Sequence, residues 1–178
     1  MNKKINVRAL LFVALMSALI SLTAMISIPS PIPFTLQTFG VFFALFFLGG
    51  RLGSLSVLLY ICIGALGIPV FSGFGGGIAR LFDVGGGYII GFLVGALLYW
   101  LLVAVLPKAA HFKILSSAIA MLSIYLTGTV WYFAVYLDGV GGIGAVLFAT
   151  VLPFVIPDIL KIALAYFLSK RLQRIIKI

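Results

Sequence analysis

The sequence predicts an all-α membrane protein with six transmembrane helices and both termini on the cytoplasmic side. Three observations carry that expectation. Of the 178 residues 64% are apolar and 8% charged, with a mean hydropathy of +1.34, whereas a soluble domain carries about a quarter charged residues. Apolar stretches suited to the ~30 Å hydrocarbon core of a bilayer recur along the whole chain. The basic residues are also unevenly placed between those stretches. The net charge is +9, from 12 Lys and Arg against three Asp and no Glu. In a soluble protein that excess would suggest nucleic acid; in a membrane protein it reports orientation, and no nucleic-acid partner is expected.

The first span covers residues 7–26 and stops at Pro29-Ser30-Pro31-Ile32-Pro33. Lys3, Lys4 and Arg8 precede it as in a signal peptide. The apolar run is longer than a typical signal core, however, and no A-x-A site follows, so it reads as a retained span. The second covers 35–48 and ends at Gly49-Gly50-Arg51; the third covers 52–68 and ends at Pro69. Gly49-Gly50 could be a kink instead of a turn, but residues 35–68 fused make 34 residues, too long for one simple span. The fourth covers 86–106 before Pro107-Lys108, the fifth 114–137 and the sixth 144–169. With six spans, Lys3, Lys4, Arg8, Arg51, Lys108, Lys113, Lys170, Arg171, Arg174 and Lys177 share the side of the N-terminus, and Arg80 alone lies opposite. An odd number of spans would put the basic C-terminal segment outside, so the charges favour six. Residues 1–178 read as a single transmembrane domain with no soluble module and no internal repeat.

Few residues offer polar chemistry. Residues 70–87 hold seven glycines: Gly73, Gly75, Gly76, Gly77, Gly85, Gly86 and Gly87. They suit either a flexible connector or a lid whose backbone approaches a ligand closely. No phosphate-loop or dinucleotide pattern is present. Arg80 and Asp83, within this loop, could simply pair with each other. Asp158 and Lys161 lie inside the sixth span, three residues apart and therefore on one helix face. Ionisable groups at membrane depth are costly and face a bundle interior or a wet cavity. They read as a structural ion pair or as an anchor in which Lys161 meets a carboxylate and Asp158 accepts N–H bonds. Pro157 strengthens the second reading, because it leaves the carbonyl of Pro153 without its helical partner. Ala14 and Ala18 make a small-xxx-small face, suited to internal packing or to docking a partner helix. Tyr125, Trp131, Tyr132 and Tyr136 could form an interfacial belt or wall a pocket. Enzyme chemistry is poorly supplied: the one histidine, His111, falls in a short loop between Lys108 and Lys113, and there is no zinc triad. Cys62 is the only cysteine, so no intrachain disulfide can form. No ATP-binding motif exists either, so energy would come from an ion gradient or from another subunit.

Pro31-Ile32-Pro33-Phe34-Thr35-Leu36-Gln37-Thr38 closely resembles the corresponding block of the BioY family, the substrate-binding (S) components of energy-coupling-factor (ECF) transporters for biotin. The likeness continues at Gly50-Arg51-Leu52-Gly53, Leu58-Leu59-Tyr60, Gly64 to Phe71, Gly86-Gly87-Tyr88-Ile89-Ile90-Gly91-Phe92, Pro153-Phe154 and Asp158-Ile159-Leu160-Lys161. The resemblance implies the S-component fold in a prokaryotic plasma membrane, with a biotin site open to the outside and covered by the first and third loops. It implies ligand contacts from Asp158 and Lys161, with Gln37 and Tyr88 in the matched blocks as further candidates; Arg80, on its place in the glycine-rich loop alone, is a second candidate for the ligand carboxylate. It also implies docking through Ala14 and Ala18 on a transmembrane coupling protein that works with ATPase subunits. No cofactor is expected; biotin is the transported ligand. The family often reads Gly-Pro-Thr before Gly-Gly-Tyr, where this chain has Asp83-Val84-Gly85, so Arg80 and Asp83 do not follow from the resemblance. The rival readings are an S component for another vitamin and an autonomous gradient-driven carrier.

Overall fold

The computed structural model describes residues 7–28, 33–107, 109–136 and 142–176. Pro31, Ile32, Lys3, Lys4, Lys108 and Lys177 therefore lie outside the described residues, as does the side chain of Tyr136. The chain is mostly helical: α1 (Val7–Met25), α2 (Gln37–Leu48), α3 (Gly50–Ala65), α4 (Gly86–Val105), α5 (Ala110–Tyr136), α6 (Ile143–Thr150) and α7 (Leu152–Ile175). Two short strands, β1 (Ser27–Ile28) and β2 (Phe34–Thr35), pair antiparallel between α1 and α2. Two 3-10 turns, Ser72–Phe74 and Ile78–Leu81, fold the glycine-rich third loop.

Among the described residues four helices, α1, α4, α5 and α7, are long and apolar enough to cross a membrane. The structure meets the expectation of six spans in part. α2 and α3, with 12 and 16 residues, reach only about 18 and 24 Å at 1.5 Å per residue, short of a ~30 Å core. The span expected at 144–169 is divided into α6 and α7 at Val151, whose φ of −122° and ψ of −56° leave the helical region. Pro153 explains the break. An uninterrupted helix would drive its ring into the carbonyl of Ala149, whereas in the first turn of a new helix its missing N–H costs nothing. The third span also ends earlier than expected, at Ala65, because Gly67 takes a left-handed φ of 101°.

α2 is buried almost all round, as expected of a helix whose apolar residues leave no polar stripe. Its neighbours are α1, α3 and α7, while α4 packs along α5. The Gly49-Gly50 junction is a turn: Gly49 sits at φ 81° between two separate helices. At that end Gln173 of α7 donates to the carbonyls of Phe46 and Phe47 at 2.9 and 2.8 Å. Those carbonyls belong to the last turn of α2 and have no partner within it.

Candidate ligand-binding site

The first and third loops and helices α2, α4, α5 and α7 enclose a cavity of about 240 Å³. Asp158, Lys161, Gln37, Tyr88 and Arg80 all line it, although they come from four separate segments of the chain. On α7, Asp158 and Lys161 are buried, with 4% and 8% of their surface exposed. Their three-residue spacing brings Lys161 Nζ to 2.8 Å from Asp158 Oδ1. The other carboxylate oxygen, Oδ2, accepts a 2.8 Å bond from the hydroxyl of Tyr125 on α5. Both oxygens are thus partnered, the condition on which a charge survives burial.

Lys161 is not the free cation that the sequence allowed. Besides Asp158, it stands 4.1 Å from the ring centroid of Phe34, in range of a cation–π attraction. Phe34 belongs to β2, and its ring stacks on Phe154 of α7 at 5.7 Å. The short β1–β2 pairing therefore brings the first loop down over the ion pair, with Ile28 opposite Phe34.

Gln37 opens α2 beside that loop. Its Nε2 donates to the hydroxyl of Tyr60 at 3.1 Å, and its backbone N–H donates to Thr35 Oγ1 at 3.2 Å. Tyr60 in turn meets Phe71 edge to face at 5.5 Å, so α2, α3 and the third loop are tied by one set of contacts. Phe71 is fully buried because Gly64 leaves its ring a place: a Cβ on Gly64 would overlap it. The third loop is folded as well, not a loose connector. Phe71 and Gly75 exchange backbone bonds, and Gly77 N–H donates to the Gly64 carbonyl at 2.8 Å.

Arg80 and Asp83 do pair locally, at 2.9 Å and about two-fifths exposed. A pair that exposed adds little stability, but its position on the cavity keeps a guanidinium at the mouth. The indole N–H of Trp131 donates to the Asp83 carbonyl at 3.2 Å, anchoring this segment on α5. Tyr88 donates its hydroxyl to the Thr150 carbonyl at 3.2 Å, near the break that separates α6 from α7.

Two contributors escaped sequence reasoning. Tyr125 was one of four aromatics with two possible uses, and only the fold sets its hydroxyl on Asp158. Ser72 lines the cavity, and its buried hydroxyl has no partner among the described residues; a lone serine in a glycine-rich loop carries no signal. Ala14 and Ala18, by contrast, are exposed on α1 beside Leu11, Leu15 and Leu22, so their small-residue face does not serve internal packing. His111 is exposed, but it lies in the first turn of α5 and not in a loop, because that helix begins at Ala110, earlier than the expected 114.

The BioY family profile matches residues 1–178. A probable biotin transporter BioY of Pyrococcus horikoshii is 43% identical over 162 residues, covering 90% of this chain and 93% of the relative. The biotin transporter BioY of Thermotoga maritima is 37% identical over 169 residues, covering 94% and 97%. Among solved structures, the S-component for biotin from an ECF-type ABC transporter superposes with a TM-score of 0.85, covering 98% of this chain and 95% of that one at 24% identity. That likeness concerns the fold.

Proposed function

The chain belongs to the BioY family, and on that footing we propose that it is the biotin-binding S component of an ECF-type importer. One observation carries the reading: a buried acid–base pair and an arginine line the same small cavity beneath two folded loops. Biotin is a bicyclic ureido compound with a valerate tail. Its ureido N–H groups are donors, its ureido carbonyl an acceptor and its carboxylate an anion. Asp158 accepts from the ureido N–H groups, Lys161 donates to the ureido carbonyl, and Arg80 at the mouth meets the carboxylate. Phe71, Ile89 and Phe92 supply the apolar walls for the bicyclic body and tail, as in most small-molecule sites. Gln37 and Tyr88 complete the polar lining.

In this reading residues 1–178 form a single multi-pass domain of the cell membrane, with the cavity facing outward and both termini cytoplasmic. The basic residues support that orientation. Arg8 begins α1, Arg51 begins α3, and Lys170, Arg171 and Arg174 end α7. The Gln173 bonds to α2 and the 6.0 Å contact of Phe12 with Phe47 bring these segments together at the end opposite the cavity, as the positive-inside bias requires. The chain captures the vitamin, and a membrane coupling protein with ATPase subunits supplies the energy for its release inside.

Isothermal titration of the purified protein with biotin tests this. The expected result is tight, near one-to-one binding by the chain alone. Lys161→Ala and Asp158→Ala should each weaken it at least tenfold, a loss of about 1.4 kcal/mol. Because either change strands a buried charge, Asp158→Asn, which keeps the volume, and a thermal melt of each variant separate lost binding from lost fold. Folded variants that bind like the wild type would remove the pair from the site. Absence of binding by folded wild-type protein would turn the search to other vitamins.

A further inference from the structure

The wall of the cavity on the α5–α7 side is thin. These two helices are packed against α4 and α2 respectively but scarcely approach each other. The gap between them is a second, wholly different space: an apolar groove of about 470 Å³. Its inner surface includes Met121, Tyr125 and Asp158, which line the ligand cavity from the other side. A single layer of side chains thus separates the two. Ala118 and Ala163 keep the groove deep by their small size, and Leu122 and Ile159 at its edges are 65% and 61% exposed.

The surroundings of this groove narrow its occupant. Both flanking helices are long and apolar enough to span a membrane, so the medium at its opening is hydrocarbon. The one carboxylate on its floor already accepts bonds from Lys161 and Tyr125, which leaves no unpaired charge calling for a polar guest. A polymethylene chain, bearing no side chains, lies lengthwise in such a trough.

We propose that an acyl chain of a bilayer phospholipid occupies the α5–α7 groove and forms the outer wall of the ligand cavity. The placement of the chain stands on the groove itself; its effect on ligand binding rests on reading the adjoining cavity as the biotin site. Water entering an empty groove from the ligand cavity would surround Asp158 and raise the local dielectric, weakening its attraction to Lys161. Hydrocarbon in the groove keeps that pair dry.

The test uses the full chain in phosphatidylcholine vesicles in which a fraction of the lipid carries a diazirine in its acyl chain. After photolysis, adducts are mapped by mass spectrometry. Ala118 and Ala163 should be labelled several-fold more than Leu11 and Leu15 on the exposed face of α1. Ala163→Phe fills the groove and should abolish labelling of Ala118 while sparing α1; Ala118→Phe is the reciprocal variant should the first fail to fold. Even labelling of both faces, or labelling unaffected by either filler, overturns the proposal. So does a protected groove accompanied by copy-to-copy adducts, which would make a second chain the occupant. In the same vesicles Ala163→Phe should bind biotin within about threefold of wild type, since its ring replaces the hydrocarbon wall. Loss of biotin binding by every form, with the labelling pattern intact, would sink the ligand assignment and leave the lipid site standing.

Discussion

Tyr125 shows how much of the site is decided by one hydroxyl. Asp158 is held through both oxygens, one by Lys161 and one by Tyr125, each at 2.8 Å. Hydrogen bonds to a charged group contribute about 1.5–3 kcal/mol, and this one also fixes the plane of the carboxylate. Tyr125→Phe should therefore leave the helices intact but let Asp158 rotate, lowering biotin affinity about tenfold by titration. An unchanged affinity would mean that Lys161 alone orients the carboxylate. The Asp158–Lys161 spacing was legible in the sequence because a helix puts residues three apart on one face. An ion pair between them was one of the two readings open to the sequence; that Lys161 also meets the Phe34 ring was not legible, because Phe34 lies 127 positions earlier and arrives through the first loop.

At the level of elements, breaks between helices matter as much as the helices. Pro153 and Val151 end α6 and start α7, and this sets the D-x-x-K pair in the second and third turns of a new helix, close to the loops. The packing of α3 against the third loop depends on a missing side chain. Gly64 lies under the ring of Phe71, and a methyl group there has no room, because Phe71 is closed in by Tyr60. Gly64→Ala should cost about 1–3 kcal/mol, the usual price of overpacking, seen as a lower thermal midpoint. Because Phe71 also lines the cavity, biotin binding should fall with it. A variant as stable as the wild type would show that the loop can shift to admit the methyl group. Helix existence and order were legible from apolar run length and from Gly and Pro punctuation. The division of the last span was not, since a proline inside an apolar run is compatible with a kink as well as a break.

For the molecule as a whole, two faces are distinguished by what they leave exposed. The α1 face carries Ala14 and Ala18 with large apolar neighbours, a surface that allows close approach of another helix. In the proposed function this is the face on which a coupling protein would dock. Ala14→Trp with Ala18→Trp should abolish uptake in cells that supply the coupling protein and ATPases, while biotin binding by the isolated chain stays within about twofold. Normal uptake by that double variant would place docking elsewhere. Among the described residues Arg8, Arg51, Lys170, Arg171 and Arg174 lie at helix ends away from the cavity, while Arg80 and Lys161 line it.

The sequence alone determined the solvent, the helical class and the family. These depend on composition, on apolar run length and on short motifs, all of which are local and survive without coordinates. It also singled out Asp158 and Lys161, because an ionisable pair in an apolar helix is conspicuous wherever it falls. Only the tertiary structure decided that Gln37, Arg80, Tyr88 and the pair share one cavity, that Tyr125 completes the cluster, and that Ala14 and Ala18 face outward. These are relations between segments distant in the chain, and they follow from how helices pack, which no local pattern encodes.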